Sequence, residues 1–167
     1  MEIVCYLDDM MKDISFHYTN EQMVKDLLLI TPISGKDTVL DAGSGKNKVW
    51  FNNFLCKEKY ECEIEDGCDF LSWNKRVDWV IGNPPYHIGW EFTNKALQVA
   101  DKGIAWLVNN VELNSLFTPR RQEIIRNNGF YLQSITIVSD KRWFGRYYYL
   151  IFTKQPNNFT SWKRKTY

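Results

Sequence analysis

Thr38-Val39-Leu40-Asp41-Ala42-Gly43-Ser44-Gly45-Lys46-Asn47 is the stretch that decides the fold of this chain. The β-branched and apolar run at residues 38–40 reads as a short strand. It ends on an acid and turns on alternate glycines, after which residues 48–56 can carry a short helix. Strand, glycine turn and helix in that order open a parallel α/β sheet. The letters Gly-Ser-Gly-Lys invite a phosphate-loop reading. That loop needs glycine where Leu40 stands and serine or threonine where Asn47 stands, so nucleoside triphosphate binding is not expected.

The flanking sequence continues the alternation. Upstream, Thr19 and Asn20 precede Met23, Val24, Leu27 and Leu28 at helical spacing, with Thr19 and Gln22 placed as a capping box and Pro32 beyond the end. Downstream, strands are expected at residues 60–64, as a stub at 68–71, and at 77–81 and 104–108. Helices fall at residues 91–101 and between Thr118-Pro119 and Asn128-Gly129. Runs at residues 133–138 and 147–153 are close enough to pair as a hairpin. The pattern predicts a mostly parallel, doubly wound sheet with a C-terminal antiparallel hairpin, built as one domain over residues 1–167.

Composition agrees with one core. At 167 residues, 44% hydrophobic and 25% charged, the chain is neither a disordered tail, a collagen-like repeat nor a disulfide-framed miniprotein. It has no apolar run of membrane-spanning length, and residues 1–14 carry acids where a signal peptide is basic and then apolar, so a cytoplasmic protein without a membrane partner is expected. Cys5, Cys56, Cys62 and Cys68 include no C-x-x-C pair and are expected as reduced packing residues. Their six-residue gaps, with His87, match no zinc knuckle, so no metal site is expected. Charge is uneven: residues 1–117 hold 11 Lys and Arg against 18 Asp and Glu, whereas residues 118–167 hold 10 against 2. A basic C-terminal third suits a polyanionic partner, and Arg120, Arg121, Arg126, Lys141, Arg142, Arg146, Lys163, Arg164 and Lys165 are its candidate phosphate contacts, with Trp143 and Phe144 between them as stacking candidates.

Two places carry chemistry. In the first, Asp41, Ala42, Gly43 and Gly45 bring backbone and a carboxylate to a ligand at a strand tip. Glu63-Ile64 at the end of the next strand offers an acid for the two hydroxyls of a ribose. Asp69-Phe70 offers an acceptor for an adenine amine and a ring to lie against the base. The second is Asn83-Pro84-Pro85-Tyr86, after the strand at residues 77–81. Two prolines make a stiff extended loop that holds an amide and a carbonyl at fixed spacing. The Asn83 side-chain oxygen and the Pro84 carbonyl can take both hydrogens of an aromatic amine and favour a pyramidal nitrogen, with Tyr86 stacking on a base removed from its helix.

On these residues the chain resembles the SAM-dependent amino-methyltransferases, specifically the N6-adenine DNA methyltransferases with an N-P-P-Y motif. Tyr18-Thr19 looks like that family's N-terminal cofactor motif, residues 41–45 its glycine motif, Glu63 its ribose acid, Asp69-Phe70 its adenine contact and residues 83–86 its catalytic motif. The resemblance implies a Rossmann-like seven-stranded sheet with a reversed last strand, S-adenosyl-L-methionine as methyl donor, and methyl transfer to adenine N6 in DNA. Similar enzymes also modify RNA adenine, guanine N2 and protein glutamine, and a non-catalytic SAM- or nucleic-acid-binding subunit is the alternative from another class. Basicity favours nucleic acid, with DNA ahead of RNA. The chain departs from the pattern in three ways. Asn47 stands where a third glycine is common. Only six positions separate Glu63 from Asp69, so the crossover between strands two and three is shortened. No segment has the length of a separate target-recognition domain, so a protein partner for target recognition is a further expectation.

Overall fold

The computed structural model describes residues 19–141 and 145–157 with their side chains, and the backbone of residues 161–166. Tyr18, Cys5, His17, Arg142, Trp143 and Phe144 lie outside these residues, and so do the side chains of Lys163, Arg164 and Lys165.

Among the described residues seven strands form one sheet: β1 (Thr38–Ala42), β2 (Glu58–Cys62), β3 (Val77–Gly82), β4 (Ala100–Asn109), β5 (Tyr131–Ser139), β6 (Tyr147–Thr153) and β7 (Ser161–Thr166), in the order β2-β1-β3-β4-β6-β5-β7. The sheet is mixed. β1, β2, β3 and β4 pair in parallel, β6 runs antiparallel to both β4 and β5, and β7 returns parallel to β5. Of the seven segments read as strands from sequence, six are strands. The stub at residues 68–71 is not, because Asp69 turns its carboxylate onto the Leu71 N–H and caps a 3₁₀ turn at Phe70–Ser72. The reversed strand is β6, not the last one. The stretch bearing Lys163, Arg164 and Lys165, which was not read as a strand from sequence, adds β7 at the sheet edge, opposite Thr136, Ile137 and Val138.

Helices cover both faces. On one, α1 (Glu21–Leu29) and α2 (Val49–Asn53) bury Met23, Val24, Leu27 and Trp50 against Val39, Trp79, Ile81, Leu107 and Tyr149. On the other, α3 (Gly89–Val99), α4 (Asn110–Leu116) and α5 (Pro119–Asn127) bury Phe92, Ala96, Leu97, Leu116 and Ile125 against Leu40, Val80, Ile104, Trp106 and Leu150. Alternation along β4 serves both layers, with Ile104, Trp106 and Val108 facing one and Ala105 and Leu107 the other. Asn20, not Thr19, caps α1, its side chain accepting from the Gln22 and Met23 N–H groups at 2.8 and 3.3 Å. α4 was not read from sequence. Its signal is Asn109 three positions before Glu112, and the Asn109 side chain accepts from the Glu112 N–H at 2.9 Å.

Between β2 and β3 there is no helix, only 3₁₀ turns at Ile64–Asp66 and Phe70–Ser72. Cys62 and Cys68 are joined by a disulfide with Cα atoms 5.1 Å apart, which corrects the expectation of reduced packing thiols: the turn at residues 64–67 folds back and brings the two together. Among the described residues no helix is long and apolar enough to cross a membrane.

Candidate active site

The two sequence motifs meet at the carboxyl edge of the sheet, where β1 and β3 lie side by side. Gly82 makes the contact close, since a Cβ there would stand 2.7 Å from the Ala42 carbonyl oxygen. A side chain at position 82 would push the Asn83 loop away from the β1 turn. That turn reverses through Gly43 (φ +75°) and Gly45 (φ +63°), and a Cβ on Gly43 would lie 4.0 Å from the Pro85 ring and 3.4 Å from the Phe92 ring. The glycine turn and the Asn83-to-Tyr86 turn thus lie against one another at this edge of the sheet.

On the glycine-turn side, the N–H groups of Gly43 and Ser44 reach the Cys62 carbonyl at 2.9 and 3.1 Å, and the Gly45 N–H reaches Glu63 Oε2 at 2.6 Å. Glu63 therefore steadies the turn besides standing where the resemblance puts a ribose acid. Sequence reading missed the outer fastening. Glu61 accepts from Ser44 Oγ at 2.7 Å and from Lys48 Nζ at 2.5 Å, and Lys48, left-handed at φ 46°, also reaches Asp66 at 3.0 Å. Asp41 is fully buried. Its Oδ2 accepts from the Phe51 N–H at 3.0 Å while Oδ1 has no partner. Burial, reinforced by the nearby Glu61 and Glu63 carboxylates and opposed by the Phe51 N–H, pushes its pKa up to about 8. An orphaned buried carboxylate oxygen among further acids is a fitting place for a cationic ligand group.

Ile64 is 70% exposed beside Glu63, an apolar face open to a ring. Phe70, by contrast, is 2% exposed and packs on Phe92 with ring centroids 4.9 Å apart, so it serves as core and its broad stacking face is spoken for. Asp69 spends its oxygens on Leu71 N–H at 2.9 Å and Ser72 Oγ at 3.2 Å. Thr19 precedes the cap of α1 and is partly buried.

On the other wall, Asn83 Oδ1 is buried without a partner. Pro84 is buried, and the Pro85 carbonyl accepts from the Ile88 N–H at 3.1 Å, closing a 3₁₀ turn at Tyr86–Ile88. Tyr86 packs against the α1–α2 core layer. Its hydroxyl meets the side chains of Tyr147 and Asn83. Burial first, then Tyr147, drives its ionisation above the ordinary tyrosine range, with Asn83 opposing. Beyond it opens a cavity of about 400 Å³ lined by Tyr86, Asn109, Asn110, Val111, Gly145, Arg146 and Tyr147. Val111 is 70% exposed there.

Among the described residues the basic candidates do not form one surface. Arg146 lines the cavity, and Lys141 is exposed just past β5 on the same edge of the sheet. Arg120 is exposed in the first turn of α5. Arg121, partly buried, is engaged within the chain: its guanidinium lies 4.7 Å over the Trp90 ring, bonds Ser115 Oγ and faces the buried Glu112. Arg126 sits in the last turn of α5, which descends to the start of β5, and so falls at the edge away from the cleft. Glu112, 5% exposed and packed onto the Cα of Gly89, steadies the segment after Tyr86 and was not singled out from sequence.

Neither a family model nor a curated relative matches the sequence. Solved structures do match in shape. A protein described as a class I S-adenosylmethionine-dependent methyltransferase from Listeria monocytogenes superposes with TM-score 0.65 at 12% identity, over 86% of this chain and 63% of its own. The magnesium protoporphyrin IX methyltransferase of Synechocystis PCC 6803, solved with bound SAH, gives TM-score 0.61 at 14% identity, over 81% and 83%. A protein described as a modification subunit of a type I restriction enzyme from Vibrio vulnificus gives TM-score 0.61 at 15% identity. It matches 98% of this chain, which spans 50% of that subunit. Joined to the strand order, these likenesses give the chain the α/β fold of the SAM-dependent methyltransferases.

Proposed function

We propose that this chain transfers a methyl group from S-adenosyl-L-methionine to the exocyclic N6 amine of adenine in DNA. The observation that carries the reading is the meeting of the two turns. The glycine turn that follows Asp41 lies against Pro85, and Asn83 Oδ1 and Asp41 Oδ1, one from each segment, are both buried without a partner. Asp41, Gly43, Gly45, Glu63 and Ile64 would hold the cofactor, which supplies an electrophilic methyl on a sulfonium. The acidic wall favours such a cation, and the exposed Ile64 face suits its base.

Adenine N6 is a weak nucleophile because its lone pair is delocalised into the ring. Asn83 Oδ1 and the Pro84 carbonyl accept its two hydrogens, draw the lone pair out of the ring plane and hold it toward the donor side of the cleft. Pro84 and Pro85 keep the two acceptors from drifting apart. Once the nitrogen carries the methyl it loses one proton, which passes to water. The cavity past Tyr86 receives the extrahelical base, Tyr86 and Tyr147 give it aromatic walls, and Arg146 and Lys141 meet the flanking phosphates.

Mass spectrometry of nucleosides and peptides after incubation with SAM and equal amounts of DNA, RNA and protein acceptor tests the reading. N6-methyladenine appearing first in DNA supports it. Preferential labelling of RNA adenine, guanine or protein glutamine overturns the acceptor, and no transfer by a chain that binds SAM overturns the activity in favour of a binding subunit.

A further inference from the structure

We infer that Cys62 and Cys68 position the adenosine half of the cofactor site, so that the disulfide form of the chain binds its ligand more tightly than the dithiol form. The inference rests on the reading that this site takes SAM. A parallel crossover is ordinarily a dozen or more residues built on a helix packed against the sheet. Here residues 63–76 carry two 3₁₀ turns and no helix, and residues 64–67 are exposed. Phe70 anchors the second half of this loop in the core, but the turn at residues 64–67 buries no side chain and has little packing to hold its shape.

The disulfide supplies the missing restraint at the place where the ligand contacts gather. Cys62 ends β2, is 1% exposed, and its carbonyl takes the Gly43 and Ser44 N–H groups. Glu63 follows it and bonds Gly45. The ring then passes through the exposed Ile64 and returns by the Cys68 N–H, 3.0 Å from the Glu63 carbonyl, to Cys68, with Asp69 next in the chain. One covalent bond thus restrains Glu63 and Ile64 relative to the glycine turn. Opening it leaves those contacts to be ordered at the ligand's expense, an entropic cost levied on binding.

The bond is accessible to exchange from one side. Cys68 is partly exposed, whereas Cys62 is buried. With oxidised glutathione as oxidant, the Cys68 thiolate displaces one glutathione thiol and forms a mixed disulfide. The Cys62 thiolate then displaces the second, so two protein thiols and one small disulfide become one protein disulfide and two small thiols. In a reducing compartment such a pair responds to redox poise, unlike a permanent staple.

The full chain is equilibrated with oxidised glutathione or with dithiothreitol. Alkylation and intact mass give the state of each cysteine, and calorimetry gives the affinity for S-adenosylhomocysteine. Reduction is expected to weaken binding about tenfold, with recovery on reoxidation. Cys68→Ser should bind like the dithiol form and ignore reductant, while Cys56→Ser should respond as the native chain does. Turnover should show a raised KM for SAM at unchanged kcat. Equal affinity of both forms, or alkylation of Cys62 and Cys68 after oxidant treatment, overturns the inference. Absence of binding by either form is a different result, because it refutes the cofactor reading itself.

Discussion

Replacing Asp41 by asparagine should stabilise the ligand-free protein at alkaline pH while weakening its hold on the cofactor. Asp41 is fully buried with one oxygen on the Phe51 N–H and the other unpartnered, and its pKa rises from 3.8 to about 8. The folded chain therefore keeps a proton that the unfolded chain releases. The sign follows: the unfolded state binds fewer protons between about pH 4 and 8, so stability is lost as pH rises through that window. Each pH step inside it costs at most about 1.4 kcal/mol. From pH 5 to 8 the ceiling is about 4 kcal/mol, and relaxation around the carboxyl brings the expected value to about 2–4 kcal/mol. Asparagine keeps the acceptor for Phe51 and places an N–H near the Glu61 and Glu63 carboxylates, so it removes the ionisation with little change of shape. Urea unfolding of both proteins at pH 5, 6, 7 and 8 measures the difference, which should widen steadily in favour of Asp41→Asn. Calorimetry should show weaker S-adenosyl-L-methionine binding by Asp41→Asn at pH 9, where the native carboxyl ionises and the amide cannot compensate the sulfonium, and little difference at pH 6, where both side chains are neutral. A stability difference that does not change with pH would refute the reasoning.

Asn83→Ala should lower kcat by about a hundredfold or more with S-adenosylhomocysteine affinity unchanged, since it removes orientation in the transition state; loss of binding with kcat retained would reverse the roles of the two turns. Gly82→Ala should destabilise by about 1–3 kcal/mol, because its Cβ meets the Ala42 carbonyl at 2.7 Å, and thermal unfolding reads it directly. Arg146→Ala should weaken binding to a fluorescent oligonucleotide and flatten its salt dependence, whereas Arg126→Ala, at the far edge of the sheet, should leave both unchanged. Equal effects of the two would undo the placement of the nucleic acid at the cavity mouth.

Much of the fold was legible because it rests on local pattern. The apolar runs of β1, β3 and β6, the Thr118-Pro119 start of α5 and the two turns all appear as residue types at fixed spacing. What stayed hidden is tertiary. That Phe70 packs on Phe92 and that Arg121 turns onto Trp90 depend on which helix face meets the sheet, and residue type alone leaves both free for a ligand. Cys62 and Cys68 sit six apart in a pattern that names no motif, and only the fold-back after β2 brings them together. Lys48 and Glu61 read as ordinary surface charges, yet they fasten the glycine turn. The missing helix in the second crossover was visible in the short gap between Glu63 and Asp69, whereas the edge strand formed by residues 161–166 had no apolar alternation to announce it.

The abbreviated crossover also leaves β2 as the outermost strand on its side of the sheet. An outer strand exposes a row of unsatisfied backbone groups on which another polypeptide can template itself. Glu58, Lys59 and Glu61 line this one, and Lys75 reaches back to Glu58 and over the Tyr60 ring. Charges along an outer strand oppose such pairing. Stripping them would invite self-association along that margin.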